Sequence, residues 1–169
     1  MTIDQSSGIA IASGKVLPEW IDINGHMNVA YYILAFDLAV DTLWERLGIT
    51  DEYVETTRCS TFAVDCHVTY QAELKEAEPF VVTSQILAYD EKRIHQFQRM
   101  YHAEKEYLAA TAEWLNLHVD LIGPCVKPFP ESVLAALQAY TARQGVLPRP
   151  EEAGKQMKIR EPIFVGAAE

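Results

Sequence analysis

Basic residues are scarce in this 169-residue chain: 14 lysines and arginines stand against 24 aspartates and glutamates, giving a formal net charge of −10. Nucleic-acid binding depends on a basic surface that neutralises phosphates, so the composition argues against that function. A small anionic ligand remains compatible with the charge, because a local pair of cations is enough to hold it. A length of 169 residues predicts one domain large enough for a substantial core, and the hydrophobic share of 49% is typical of a globular protein.

The chain also lacks long apolar runs, metal-type cysteine spacing and a Gly-x-Ser-x-Gly elbow. Asp37 and Asp41 interrupt its longest apolar run, which is therefore too short to span a membrane. No basic residue precedes the short apolar patch near the beginning, so we expect no secretory signal and a cytoplasmic location. Because the three cysteines are odd in number and lack metal-type spacing, we expect them to be reduced thiols. Its five histidines show no paired ligand spacing, so we expect no metal site.

Hydrophobic periodicity divides the chain into a long helix, a run of strands and a second helix. Residues 28–47 are apolar on most sides, start at a good N-cap, Asn28, and end before Gly48. A helix of this kind is enclosed by other structure, and at roughly 1.5 Å per residue it is about 30 Å long. A shorter amphipathic helix is predicted at residues 131–143. Between the helices, four runs joined by short links predict antiparallel strands at residues 62–70, 80–89, 94–102 and 107–119.

This order of elements predicts an α+β fold in which one antiparallel sheet curls around a central helix. Pro18 predicts that any strand at residues 15–21 is short and irregular. We expect a flexible N-terminus at residues 1–14, one domain at residues 15–145 and a C-terminal tail at residues 146–169 that packs on a partner or stays mobile. A single sheet leaves edges and an outer face uncovered, which predicts a homodimer or a dimer of dimers.

The segment Asp-Ile-Asn-Gly-His-Met-Asn, residues 22–28, places an acid, an imidazole and an amide at the start of the long helix. Backbone N–H groups at a helix start lack partners, and the macrodipole there is positive. The segment can therefore stabilise a developing negative charge beside an ionisable acid, which suits attack on a carbonyl group. A simpler interpretation makes Asp22 a turn aspartate and Asn28 only a helix cap.

These residues also resemble a known enzyme family. The pattern Asp-x-Asn-Gly-His-Met-Asn-Val-Ala-Tyr-Tyr of residues 22–32, followed by a long helix and antiparallel strands, resembles the acyl-CoA thioesterases of the 4-hydroxybenzoyl-CoA thioesterase type. The similarity covers residues 15–143 and implies the hotdog fold of that family. Residues 90–95, 110–113 and 117–120 are similar to a narrower branch, the betainyl-CoA thioesterases.

The resemblance implies roles for the residues at the helix start. Asp22 would be the catalytic carboxylate, either as the nucleophile or as a general base toward water. The backbone N–H of Val29 would polarise the thioester carbonyl. His26 would face the substrate or shape the loop, and Asn28 would cap the helix or orient Asp22 or water. Gly25 would permit a tight turn that brings backbone close to the ligand.

Further candidates concern the substrate, of which coenzyme A would be a part rather than a cofactor. Lys92 and Arg93 are the best pair of cations for its phosphates, and the alternative is a solvated turn in which they pair with neighbouring acids. A betainyl or other quaternary ammonium group would need aromatic faces, for which Trp114 is a candidate. Tyr32 is a candidate for lining the acyl pocket. Core packing is the alternative role for both aromatic residues.

Two other functions fit the same residues. Asp22, Asn24 and His26 resemble the Asp-x-Asn-Pro-x-His motif of hotdog-type hydratases and dehydratases, although the histidine is one residue closer and no proline follows Asn24. Such an enzyme would consume the double bond of an enoyl-CoA without releasing thiol. The third interpretation is a non-catalytic acyl-CoA binder, which would be stabilised by ligand without turnover.

Overall fold

The computed structural model describes residues 7–157 and contains one six-stranded sheet with three α-helices. The helices are α1 (Val29–Arg46), α2 (Asp51–Thr57) and α3 (Glu131–Gln144). The strands are β1 (Ile9–Lys15), β2 (Cys59–Tyr70), β3 (Pro79–Tyr89), β4 (Arg93–His102), β5 (Leu108–Asp120) and β6 (Cys125–Val126). The four predicted strands, the long helix and the second helix are confirmed, with ends that differ by a few residues.

All strand pairs are antiparallel, and the sheet order is β1-β3-β4-β5-β2, with β6 paired to β5. The short links between β3 and β4 and between β4 and β5 form hairpins, so these strands are neighbours in space as well as in sequence. Strands β1 and β2 are the two edges. The sheet curls around α1, which confirms the predicted α+β hotdog architecture.

One face of α1 supplies much of the core. Tyr32, Phe36, Ala39 and Leu43 are buried at helical spacing, and Phe36 and Leu43 are fully enclosed. Val82, Met100, Ala110 and Ala112 of the sheet pack in the same hydrophobic cluster as Phe36. Full burial of a side chain such as Phe36 contributes about 1.5–3 kcal/mol to stability.

A polar residue lies in the middle of this apolar contact. Gln98 on β4 is fully buried, and its Nε2 donates to the carbonyl of Phe36 on α1 at 3.0 Å. Its Oε1 accepts the indole N–H of Trp114 on β5 at 2.7 Å. Gln98 thus joins the centre of α1 to two central strands.

The opposite face of α1 is open in the single chain, so the predicted enclosure of this helix is wrong for one subunit. Val29 and Leu38 are each 56% exposed, and Phe62 and Val64 on the edge strand β2 are 48% and 52% exposed. The acidic stripe of α1 lies on this open face, since Asp37 and Asp41 are exposed. The single chain thus leaves an apolar helix face and a strand edge uncovered side by side.

The N-terminal part also corrects two expectations. Strand β1 begins at Ile9 and pairs with β3 up to Lys15, so residues 9–14 are not a flexible segment. Residues 15–21 form no second strand, because residues 18–20 make a 3-10 turn with Pro18 at its start, where a missing N–H costs nothing. Residues 1–6 lie outside the described part of the chain.

The C-terminal segment crosses the face of the sheet that points away from α1. Gln85 Nε2 donates to the carbonyl of Pro148 at 3.1 Å, and the Gly154 N–H donates to Glu113 Oε2 at 2.7 Å. Residues 148–154 therefore pack on the chain's own sheet, while 158–169 lie outside the described residues. Across residues 7–157, no helix combines the length and the apolar character that crossing a bilayer requires.

Candidate active site

Residues 21–27 form a small closed loop immediately before α1. Ile21 and Met27 are antiparallel bridge partners, and the Asp22 N–H donates to the carbonyl of His26 at 3.1 Å. The Gly25 N–H returns to the carbonyl of Asp22 at 3.0 Å, with Gly25 at a φ of 81°. This positive φ explains the glycine, since an L side chain there would strain the turn.

The carboxylate of Asp22 is half-buried and hydrogen-bonded within the loop. Oδ1 accepts the Asn24 N–H at 2.8 Å, and Oδ2 accepts the Asn24 side-chain amide at 3.3 Å. Asp22 is thus a turn aspartate, as the simpler interpretation has it. Two of about four acceptor positions remain unused, so the same carboxylate can still take a proton or attack a carbonyl.

The start of α1 leaves one backbone donor available. Asn28 has extended backbone angles, and its Oδ1 accepts the Ala30 N–H at 3.0 Å, as expected of an N-cap. The Tyr31 N–H donates to the carbonyl of Asn28 at 3.0 Å. Within residues 7–157, the Val29 N–H between them has no protein acceptor. An oxyanion placed at the helix start would meet this donor and the positive end of the dipole.

A second loop holds this region in place. The Met27 N–H donates to the carbonyl of Leu74 at 2.8 Å, and the Leu74 N–H donates to the hydroxyl of Tyr32 at 3.0 Å. Glu73 Oε1 lies 3.6 Å from His26 Nε2. Tyr32 is 4% exposed, and its hydroxyl is already used in holding this loop. Tyr32 thus holds the loop at Leu74, and its place in an acyl pocket stays a prediction.

Two aromatic pairs flank the helix start. Tyr31 stacks on Trp20, with ring centroids 5.5 Å apart, and Tyr70 packs edge-on against Tyr32 at 5.4 Å. Nothing in the sequence marks Glu73 or Tyr70 as site residues, because β2 and its following loop reach the helix only through the fold. The alternation of β2 shows no more than that Tyr70 shares a face with Val68.

Trp114 lies in the middle of β5, in the hydrophobic cluster that also contains Met27 of the loop. It is 9% exposed, and its indole N–H is taken by Gln98. A cavity of about 370 Å³ reaches it from the sheet face away from α1, beside a His95–Glu113 pair whose Nε2 and Oε1 are 2.7 Å apart. Asp22 bonds to Asn24, and Trp114 bonds to Gln98, so no hydrogen bond joins the two candidates within residues 7–157.

Lys92 lies in the turn between β3 and β4, and Arg93 is the first residue of β4. Lys92 pairs with Glu91 at 3.1 Å, and Arg93 Nε donates to Asp90 Oδ2 at 2.7 Å, which lowers the pKa of Asp90 to about 2. This turn follows the end of β3, whereas Trp20, just before the helix-start loop, packs near Phe80 at the beginning of β3. The two predicted phosphate ligands and Asp22 therefore lie at opposite ends of one subunit.

The three cysteines have free thiols. Within residues 7–157, the structure contains no group of three or more histidine, cysteine, aspartate or glutamate side chains arranged to hold a metal ion. Cys66 lies on the edge strand rather than in the core, and partial burial near Asp65 raises the pKa of its thiol to about 11. A thiol with that pKa is a poor nucleophile at neutral pH.

The thioesterase-like superfamily matches residues 16–137, a span that includes the helix-start loop, α1 and the long strands that follow. The chain belongs to this superfamily. It is a thioester hydrolase, and the resemblance identified from residues 22–32 is confirmed.

Two relatives with similar sequences carry betainyl-CoA thioesterase in their names. A betainyl-CoA thioesterase of Pseudomonas aeruginosa is 36% identical over 140 residues, which cover 83% of this thioesterase and 88% of that protein. An L-carnitine dehydrogenase/betainyl-CoA thioesterase of Rhizobium meliloti is 33% identical over 156 residues. That alignment covers 92% of this chain but 31% of the relative, so the chain spans about a third of that two-part protein.

Solved structures support the same fold. The hypothetical protein SAV2348 of Staphylococcus aureus, determined in complex with CoA, superimposes with a TM-score of 0.85 at 29% identity and covers 90% of this thioesterase and 96% of that chain. Slr0204, a 1,4-dihydroxy-2-naphthoyl-CoA thioesterase from Synechocystis, superimposes with a TM-score of 0.68 at 14% identity. It covers 75% of this chain and 93% of its own, and it shows the likeness of the fold.

Proposed function

We propose that this thioesterase hydrolyses a small acyl-CoA to the free acid and coenzyme A at the start of α1. The observation that carries the proposal is the available Val29 N–H at the helix start, beside the hydrogen-bonded carboxylate of Asp22. A CoA-bound structural relative and a family of thioester hydrolases support CoA as the thiol part of the substrate.

Asp22 supplies the basic or nucleophilic group. As a general base, it removes a proton from water while the water oxygen bonds to the acyl carbon. As a nucleophile, it bonds to that carbon itself and forms an anhydride, which water then cleaves. Either addition converts the carbonyl oxygen into an oxyanion, which accepts the Val29 N–H.

Collapse of the tetrahedral intermediate breaks the carbon–sulfur bond and releases coenzyme A as a thiolate. A thiolate is a good leaving group, so the reaction needs no strong general acid at this site. His26 and Asn28 are proposed to shape the loop and the helix start, since His26 faces Glu73 and Asn28 caps α1. Gly25 keeps the loop tight enough for backbone to approach the thioester.

We propose a betainyl-type quaternary ammonium as the acyl group to test first. The relative that is 36% identical over most of both chains carries that activity in its name. Trp20 and Tyr31, stacked beside the helix start, offer aromatic faces that such a cation could contact. Trp114 is a weaker candidate, because its ring lies in the core of the subunit.

The functional unit is proposed to be a homodimer or a dimer of dimers. The open face of α1 and the edge strand β2 expose Val29, Leu38, Phe62 and Val64 together. If two β2 strands pair antiparallel across a twofold axis, the Cys59 end of the partner lies beside the Tyr70 end of this chain. In each subunit, the Cys59 end of β2 lies on the same side as the turn between β3 and β4. The phosphate ligands proposed for this site are therefore those of the opposite subunit.

A thiol-release assay tests the reaction directly. The panel contains short, branched, aromatic and quaternary-ammonium acyl-CoA thioesters, and we expect Asp22→Asn to lower kcat by about 10²–10⁴-fold. Glu19→Gln is the matched control, since this exposed acid lies on the preceding turn and should leave turnover unchanged. Full activity of Asp22→Asn would refute the assignment of the catalytic carboxylate.

A further inference from the structure

His26 lies opposite Asp22 in the loop before α1. Ile21 and Met27 are antiparallel bridge partners. The Asp22 N–H donates to the carbonyl of His26 at 3.1 Å, so these two residues form the next pair of the same short ribbon. Met27 is buried in the core, whereas Asp22 and His26 are half-buried. Because successive side chains of a strand alternate between faces, the carboxylate and the imidazole share the outward face of the loop.

Glu73 approaches the same imidazole from the loop after β2. Its Oε1 lies 3.6 Å from His26 Nε2. The backbone that carries it is fixed, since the Glu73 carbonyl accepts the Tyr107 hydroxyl at 2.8 Å. The carbonyl of the next residue, Leu74, accepts the Met27 N–H, also at 2.8 Å. A carboxylate beside Nε2 favours the neutral tautomer that carries its hydrogen there, which leaves Nδ1 as the proton acceptor.

The nucleophilic form of the proposed reaction needs a base besides Asp22. Once Asp22 has bonded to the acyl carbon, its carboxylate is part of the anhydride and the thiol has already left. Water must then lose a proton as its oxygen bonds to the acyl carbon, and Asp22 is not able to accept it. His26 faces Asp22 across the loop, so it is in place to take that proton.

We propose that His26, oriented by Glu73, removes the proton from the water that cleaves the Asp22 anhydride. The inference rests on the proposed hydrolysis and selects its nucleophilic form. The water oxygen bonds to the acyl carbon, and the water proton passes to Nδ1 of His26. The bond between the acyl carbon and the Asp22 oxygen then breaks, which releases the acid and restores the carboxylate. His26 returns the proton to solvent, and Glu73 is a positioning residue that touches no reacting atom.

Stopped-flow thiol release separates the two stages, because the thiol leaves before water enters. Glu73→Gln keeps the size of the side chain and removes its charge. We expect it to release one thiol per enzyme at close to the wild-type rate and then to turn over with kcat lowered at least about tenfold. Glu76→Gln, at an exposed acid of the same loop, is the matched control and should keep kcat. A kcat of Glu73→Gln within about twofold of wild type, or a first turnover slowed as much as the later ones, would overturn the inference.

Chemical rescue tests the base itself. His26→Ala should show the same rapid first turnover and slow later ones, and added imidazole should speed the later turnovers. Imidazole should leave Asp22→Asn inactive, because that variant forms no anhydride. If Asp22→Asn abolishes thiol release while His26→Ala and Glu73→Gln keep the wild-type kcat, only the role of this pair fails. If wild type releases no thiol from any member of the panel, the proposed reaction itself fails.

Discussion

A single backbone donor at Val29 is the group on which the proposed chemistry depends, and proline can remove it without deleting the helix. Proline has no N–H and is favoured at the first helical position, and Asn28 already has the extended angles that a residue before proline needs. We expect Val29→Pro to lower kcat by about 10²–10³-fold in the thiol-release assay.

Val29→Ala is the control for this substitution, because it shortens the same side chain and retains the amide. It should keep kcat close to that of wild type, and both variants should show the helical circular dichroism of the parent. If Val29→Pro hydrolyses the substrate as fast as Val29→Ala, the oxyanion is stabilised by other groups.

Local sequence was enough to predict some of these residue roles and not others. Gly25 and Asn28 act through neighbours within a few positions, so their turn and cap could be predicted from residue type and spacing. Glu73 and Tyr70 reach the helix start from β2 and its loop, more than forty residues later in the chain. Contacts of that kind depend on strand register, which no local pattern fixes.

At the scale of elements, the loop before β3 is stabilised by a charged side chain. Glu78 Oε2 accepts the Lys75 N–H at 2.9 Å, and Oε1 binds the ammonium group of Lys105 from the next hairpin. The hydrogen bond from Lys105 lowers the pKa of Glu78 to about 2, from an ordinary value of 4.5. A carboxyl whose pKa is lowered by folding stabilises the folded state at pH values above its pKa in the unfolded chain. This contribution is lost as the pH falls from 4.5 toward 2.

We therefore expect Glu78→Gln to lower the free energy of unfolding by a nearly constant amount between about pH 7 and about pH 5, and the difference from wild type to shrink as the pH falls below this toward about pH 3. Urea unfolding at several pH values measures this difference. The control is Glu76→Gln, at an exposed acid in the same loop. A difference that stays constant down to about pH 3 would show that the carboxylate charge of Glu78 contributes nothing to stability.

Elements with strong periodicity were predictable, and the others needed tertiary contacts. The alternation in β2 and the apolar faces of α1 and α3 identify these elements from sequence alone. Strand β1 consists largely of small residues, and its pairing with β3 is what orders it. Helix α2 is seven residues long, too short for a periodic signal, although Thr50 caps it by accepting the Tyr53 N–H.

At the scale of the whole molecule, the uncovered α1 face and β2 edge predict self-association. Size-exclusion chromatography with light scattering should give the mass of two chains or of four for the wild type. Val64→Lys places a charge at the centre of this surface and should shift the mass toward that of one chain. Ile122→Lys, at a 76%-exposed residue of the turn after β5, should not change it.

The same experiment bears on catalysis. Because Lys92 and Arg93 lie at the far end of their own subunit, loss of association should raise KM for the CoA substrate even though Asp22 is intact. A monomeric Val64→Lys variant with unchanged KM would contradict phosphate binding by the partner. The uncovered edges and outer face of a single sheet predicted association, whereas the separation of these residues could be seen only in the folded chain.

The amide of Gln98 determines how this enzyme can adapt to its substrate. Sliding α1 along the sheet by one turn, about 5.4 Å, would break the hydrogen bond between Gln98 and Phe36 deep in the interior. Leaving such a group without a partner costs about 1–3 kcal/mol. The helix is therefore fixed lengthwise before any thioester arrives. Selectivity among acyl groups must then come from the shapes of the side chains around the Val29 N–H, because the helix that carries this donor does not slide.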